Sequence, residues 1–127
     1  AFKEGNMKVL VFGSKDWSDY GDIMRNMTII LEDFKYSEDE KLTIIHAASK
    51  GAETMVTEYI GKVEKFLRQK GISLKEEIFK PNPTADYDVI NQGADLALVF
   101  STGNDKRVNY CAKMLGEFGI PTKMVKG

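Results

Sequence analysis

A short apolar run that stops at a glycine is the feature that most constrains this chain. Lys8 to Phe12 is apolar or β-favouring, and Gly13 and Ser14 follow it directly. Such a run, bounded by a glycine and a polar turn, predicts a buried parallel strand that leads through a tight turn to a helix. Free backbone N–H groups and a helix dipole make that turn a candidate anion site, although the pattern also fits a strand that simply ends in a turn.

Strands and helices alternate along the rest of the chain. The predicted strands cover Lys8 to Phe12, Leu42 to His46, Lys75 to Phe79, Asp95 to Phe100 and Thr122 to Val125. Helical spacing of apolar residues predicts helices over Ser18 to Phe34, Met55 to Leu67, Asp86 to Gln92 and Val108 to Phe118. Since no hairpin turn joins the strands, we expect an α/β fold with a five-stranded parallel sheet in the order 3-2-1-4-5, with the third strand at an edge.

Composition indicates one ordinary globular domain, residues 1–127, and excludes several classes of protein. The net charge is −1 with 29% charged residues, so no basic excess points to nucleic acid. The one cysteine, Cys111, precludes an internal disulfide and lies at an apolar helical position, as a small core residue would. No stretch resembles a membrane span or signal peptide, so we expect a cytoplasmic protein of a cell or an infected host cell, with no membrane partner.

In the expected strand order, the turns after strands one, two and four open on one crevice. The candidate ligand residues are Gly13, Ser14, Asp16 and Trp17 in the first turn, His46, Ser49, Lys50, Gly51 and Glu53 in the second, and Ser101, Thr102, Gly103, Asn104, Asp105, Lys106 and Arg107 in the third. Hydroxyls, glycines and helix N-termini accept phosphate or ribose oxygens, and the three basic side chains offset anionic charge. The convergence of these residues predicts a phosphorylated or nucleotide-like ligand.

Several of these residues have a structural alternative. Ser49 and either Thr102 or Asn104 are equally suited to cap a helix. Glu53 and Asp16 are candidates for ribose contacts or acid/base catalysis, and an acidic residue in a first helical turn also stabilises the helix dipole.

Trp17 and His46 each have a functional and a structural interpretation as well. Trp17 is expected either to stack on a base or to pack over the sheet. His46 is the only histidine, and such a residue is more often a satisfied structural side chain than a general base. No second histidine or cysteine stands ready for a metal, and neither a GxGxxG nor a P-loop pattern occurs, so no metal or cofactor is expected.

Four segments together carry a family resemblance. Val9 to Trp17 is similar to a strand followed by G-S-R-D-W/F, and Ile45 to Glu53 is similar to V-H-G-G-A-x-G-A-D. Gly93 to Phe100 precedes the last polar turn, and Gly119 to Pro121 is similar to a G-I-P-V ending. In this order the segments resemble the SLOG superfamily and, within it, the small YspA/YpsA-like single-domain proteins.

The resemblance implies a Rossmann-like three-layer α/β/α fold that binds nucleotides or nucleotide-derived molecules. Members of the superfamily include the Lonely Guy phosphoribohydrolases and domains proposed to sense nucleotide signals. It also implies a homodimer, and small proteins of this kind occur in phages, which suggests a counter-defence role. Ala47 and Ala48 stand where the family has two glycines, and the glutamate that the phosphoribohydrolases carry after the third turn is absent. These departures favour binding over catalysis.

Three functions follow as hypotheses. The first is a sensor or sequestering protein for a nucleotide-derived signalling molecule. The second is an N-glycosidase on nucleoside 5′-monophosphates, in which Glu53 or Asp16 stabilises an oxocarbenium-like transition state. The third is a structural or adaptor protein with a vestigial crevice.

Overall fold

The fold is an alternation of strands and helices around one parallel sheet. The computed structural model describes residues 6–35, 41–47, 50–79 and 85–127. The elements in this part of the chain are β1 (Asn6–Gly13), α1 (Tyr20–Lys35), β2 (Lys41–His46), α2 (Ala52–Gln69), β3 (Ser73–Ile78), α3 (Ala85–Asn91), β4 (Leu96–Ser101), α4 (Lys106–Glu117) and β5 (Thr122–Lys126). Every strand pair is parallel, and the order is β3-β2-β1-β4-β5. The predicted five-stranded sheet and its order are confirmed.

The central strand β1 is apolar on both faces because helices cover both sides of the sheet. Val9 and Val11 belong to a buried cluster with residues of α1 and α2. Leu10 and Phe12 belong to a second buried cluster with residues of α3 and α4. Since successive strand residues point to opposite faces, this alternation defines three layers, α/β/α.

The predicted edge position of β3 is confirmed, and its bounds shift toward the amino terminus. β3 covers Ser73–Ile78, whereas the sequence predicts Lys75 to Phe79. The pairing with β2 explains the shift, because that strand begins at Lys41, which lies opposite Ser73. A ladder of six residues therefore starts two positions earlier than the apolar pattern suggests.

Helix α1 begins at Tyr20 rather than at the predicted Ser18. The carboxylate of Asp19 accepts a hydrogen bond from the Asp22 N–H at 3.1 Å, as an N-cap side chain does. Asp19 directly precedes the helix. The polar segment before it is therefore free to form the turn after β1.

The reversal in strand order creates a crevice at the carboxyl end of the sheet. β1 pairs with β2 on one side and with β4 on the other, so the chain leaves these three strands at one end of the sheet. We call the region formed by residues 13–17, 47, 50–53 and 101–107 the switch-point crevice. Ligands of open α/β sheets bind at such positions.

Candidate functional site

The turns after β1 and β4 are hydrogen-bonded to each other. The Ser14 N–H donates to the Phe100 carbonyl at 2.9 Å, and the Ser14 hydroxyl accepts from the Thr102 N–H at 3.1 Å. The Thr102 hydroxyl donates to the Asp16 carboxylate at 2.8 Å. Ser14 is fully buried, and its hydrogen bonds crosslink the two turns. These contacts fix one wall of the switch-point crevice.

The N-cap of α4 provides a second crosslink. One carboxylate oxygen of Asp105 accepts from two first-turn N–H groups of α4 at 3.0 and 3.3 Å, and the other accepts from the Lys15 N–H at 3.2 Å. The alternative that Thr102 or Asn104 caps this helix is wrong. Asp105 directly precedes the helix, so its short side chain can accept hydrogen bonds from the first-turn amides that follow it.

The amino terminus of α2 lies against the turn after β1. A Cβ at Gly13 would collide with the Cβ of Ala52. A Cβ at Gly51, where φ is +95°, would meet the carbonyl oxygens of Ser14 and Lys15, the latter at 2.8 Å. Both glycines are therefore required by close packing. Gly51 is also the N-cap of α2, and without a side chain it offers the first-turn N–H groups no capping acceptor.

Glu53 points inward from the first turn of α2. One carboxylate oxygen accepts from the Ala47 N–H at 2.8 Å, and the other accepts from the Gly13 N–H at 3.3 Å and from Arg107 Nη1 at 2.8 Å. The side chain has no exposed surface. Glu53 thus acts as an internal anion that occupies the backbone donors of two turns, and a ribose hydroxyl would reach it only if these contacts broke.

Arg107 connects this carboxylate to α3. Its Nε and Nη2 each donate to Asp86 at 2.8 Å, while Nη1 donates to Glu53. Burial by itself would lower the pKa of Arg107, but the hydrogen bonds to the two carboxylates outweigh it and raise the pKa above its usual value. We call Arg107, Glu53 and Asp86 the Arg107 cluster. It joins the first turns of α2, α3 and α4.

His46 lies outside the crevice contacts, on the α2 side of the sheet. Its side chain is fully buried, and its Nε2 lies 2.6 Å from the Glu76 carboxylate and 3.2 Å from the Thr57 hydroxyl. The Thr57 hydroxyl also donates to Glu76 at 2.5 Å. Glu76 and Thr57 contact the same ring nitrogen, so these contacts join the imidazole to β3 and α2. This arrangement supports the structural alternative for His46.

Trp17 packs into the core instead of facing solvent. It is 4% exposed, and its indole N–H donates to the Asp19 carbonyl at 2.9 Å. Its ring meets Phe100 edge to face, with 5.4 Å between centroids. The packing alternative accounts for these contacts, since a buried indole needs both apolar neighbours and a hydrogen-bond acceptor.

Other predicted ligand residues remain at the surface of the crevice. The exposed ones are Asp16, Lys50, Gly103, Asn104 and Lys106. Ser101 is buried, and its hydroxyl accepts from the Gly103 N–H at 3.0 Å, which stabilises the turn after β4. Ser49 lies outside the described residues. Lys50 and Lys106 thus carry exposed positive charge beside the amino termini of α2 and α4.

The sequence did not indicate the partnership between Arg107 and Asp86. Arg107 appeared in the third turn only as a source of positive charge, and Asp86 appeared only as the start of a short helix. The two residues are 21 positions apart, and Arg107 is 54 positions from Glu53. No local pattern reveals such pairings. The one available signal was an arginine next to the start of a predicted helix, where the helix dipole disfavours a cation that has no acidic partner.

Two open cavities lie at the opposite end of the sheet, between α2 and β3. Their volumes are about 450 and 540 Å³, and both are bordered by Glu64, Ser73 and Leu74. They lie beside the carboxyl end of α2 and the amino end of an edge strand, whereas ligands of open α/β sheets bind at the carboxyl ends of the strands. The switch-point crevice therefore remains the better candidate site.

Residues 6–35, 41–47, 50–79 and 85–127 contain neither a metal-ligand cluster nor a membrane-spanning helix. Within those ranges no three His, Cys, Asp or Glu side chains are grouped as metal ligands. None of the helices there has the length and apolarity needed to cross a membrane.

The fold and the crevice define a Rossmann-like three-layer α/β domain with a candidate ligand site at its switch point. Comparison with known protein families, with curated proteins and with solved structures returned no match.

Proposed function

We propose that the chain binds a nucleotide or nucleotide-derived signalling molecule in the switch-point crevice and acts as a sensor or sequestering protein. The observation that carries the proposal is that two helix amino termini meet there. Glu53 and Arg107, each the second residue of its helix, are 2.8 Å apart. The positive ends of the α2 and α4 dipoles therefore converge, which favours an anionic group.

The exposed charges beside these helices match a phosphate. Lys106 is the first residue of α4, and Lys50 comes two residues before α2. Glycine at position 51 leaves the α2 amides without a side-chain cap, so a phosphate oxygen can serve as their acceptor. Asp16 is exposed above the neighbouring turn, where its carboxylate suits a ribose hydroxyl.

Burial of Glu53 favours binding over N-glycosidic cleavage. A carboxylate that stabilises an oxocarbenium-like transition state must approach the sugar, whereas this one is held by two backbone N–H groups and Arg107. We therefore expect a nucleotide ligand to be recovered intact after incubation. Release of free base, detected by chromatography, would support the phosphoribohydrolase alternative.

A thermal-shift panel of nucleotides, cyclic nucleotides and ADP-ribose derivatives tests the proposal. A ligand at 100 times its Kd should stabilise the fold by about 2.7 kcal/mol. Calorimetric titration of the hit should then show about tenfold weaker binding by Lys50→Ala. The matched control is Lys65→Ala, which removes an exposed charge from the carboxyl-terminal half of α2 and should leave Kd unchanged. Equal affinities for the two variants, or no hit in the panel, would refute the proposed site.

The family resemblance alone supports the homodimer and the role in phage counter-defence, whereas the cytoplasmic location is proposed from the sequence pattern. Light scattering of the purified chain tests the first of these. A monomer at all concentrations would remove that part of the proposal and leave the ligand site as argued.

A further inference from the structure

The guanidinium of Arg107 contacts the fully buried Glu53 on one side and the partly exposed Asp86 on the other. Its Nη1 donates to Glu53, whose side chain is fully buried, so this contact fixes the plane of the guanidinium. The remaining edge, made of Nε and Nη2, donates to the two carboxylate oxygens of Asp86. The Phe12 ring lies against the guanidinium, 6.0 Å from centroid to Cζ. The outer edge is thus a preorganised two-donor fork.

The outer partner is the more replaceable of the two. Arg107 and Asp86 retain 23% and 16% of their side-chain exposure, whereas Glu53 retains none. Asp86 belongs to α3, a helix of only seven residues. A bidentate guanidinium fork accepts a carboxylate or a phosphate with the same geometry. A phosphate in the crevice would therefore compete with Asp86 and not with Glu53.

We propose that the Asp86 carboxylate holds the place of a ligand phosphate on the Arg107 fork, and that a bound phosphomonoester or diphosphate displaces it. This inference rests on the proposed function and adds that Arg107 binds the phosphate. Two oxygens of one phosphate replace the two oxygens of Asp86, and the first turn of α3 is released from α4. Ligand binding would then be coupled to the position of α3, as a sensor requires.

The test uses inorganic pyrophosphate and ADP as probes on the full chain. Asp86→Asn removes the competing charge and turns one fork acceptor into a donor, so both probes should bind about tenfold more tightly than to wild type. The control is Asp88→Asn, which removes an exposed carboxylate from the same short helix and should change Kd by less than about twofold. Equal affinities for the two variants, or weaker binding by Asp86→Asn, would overturn the exchange.

A measurement on the wild-type chain covers the case in which Asp86→Asn fails to fold. The Nε–H resonance of Arg107, assigned by its loss in Arg107→Lys, should shift as pyrophosphate is added. Binding without any shift of this resonance would overturn the inference.

The two proposals fail separately. Nucleotide binding that depends on Lys50 but leaves the Arg107 resonance unmoved supports the site and refutes the exchange. Pyrophosphate that binds more tightly to Asp86→Asn, with no effect of Lys50→Ala, supports the exchange and refutes the proposed placement of the phosphate. Absence of binding by wild type and by both Asp86 and Asp88 variants refutes both.

Discussion

Replacing Glu53 by glutamine should destabilise the fold by about 2 to 3 kcal/mol, a value that follows from its three contacts. Glutamine keeps one acceptor, which would stay with the shorter Ala47 N–H contact of 2.8 Å. The amide –NH2 would then face two donors, the Gly13 N–H and the Arg107 guanidinium. Loss of a charge-assisted hydrogen bond costs about 1.5 to 3 kcal/mol. Arg107 retains Asp86, so the cost stays below the roughly 3 to 5 kcal/mol expected when a buried charge loses its only partner.

Urea denaturation followed by far-UV circular dichroism measures this free energy, provided that the m-value is unchanged. The matched control is Glu58→Gln on the same helix, where the side chain is 59% exposed and 3.5 Å from Lys62. That change should cost less than about 0.5 kcal/mol. If Glu53→Gln were as mild as the control, the carboxylate would not be an internal anion and would again be a candidate for ligand contact. If Glu53→Gln also loses ligand binding, the loss has to be compared with the fall in unfolding free energy before Glu53 is assigned a ligand contact.

Two further predictions concern backbone geometry and the buried thiol. Gly51→Ala should lower the unfolding free energy by about 2 kcal/mol or more in the same urea assay, because φ is +95° and the new Cβ would meet two carbonyl oxygens. Gly61→Ala, in the interior of α2 with nothing within 4 Å, should instead raise it by up to about 1 kcal/mol, and a loss of stability there would contradict the packing argument. Burial, followed by the charge of Asp86, raises the pKa of Cys111 to about 12. The unfolded thiol ionises first, so stability should fall by about 1.4 kcal/mol per pH unit between about pH 9 and pH 12, and Cys111→Ala should lack this contribution.

The fold was predictable from local pattern because the pattern and the tertiary structure impose the same requirement. β1 is apolar at successive positions, which only a central parallel strand buried on both faces satisfies. The polar β3 lies at an edge for the complementary reason. Short connections and right-handed crossovers leave only a few strand orders for such a chain, and the observed order is one of them.

The contacts within the crevice were less predictable because they join residues that are distant in sequence. Turn residues were correctly expected to share one end of the sheet, but their side chains bond across turns. Ser14 contacts Thr102 over 88 positions, and Asp16 contacts the same residue over 86. The sequence pattern of a turn is the same whether its hydroxyl or carboxylate contacts a ligand or another turn. The inward direction of Glu53 is visible only in its tertiary contacts with the Gly13 and Ala47 N–H groups and with Arg107.

These contacts also determine where a phosphate can bind. In a glycine-rich crevice the backbone N–H groups of the strand-end turns are its natural donors, but here the Gly13 and Ala47 amides already donate to Glu53. An anion placed beside them would meet a buried carboxylate. The remaining donors lie further out, at the first turn of α2, at Lys50 and Lys106, and on the Arg107 fork. Under the proposed function, a phosphate would therefore bind at the rim formed by the helix amino termini, and both its recognition and the proposed release of α3 would depend on the Arg107 guanidinium.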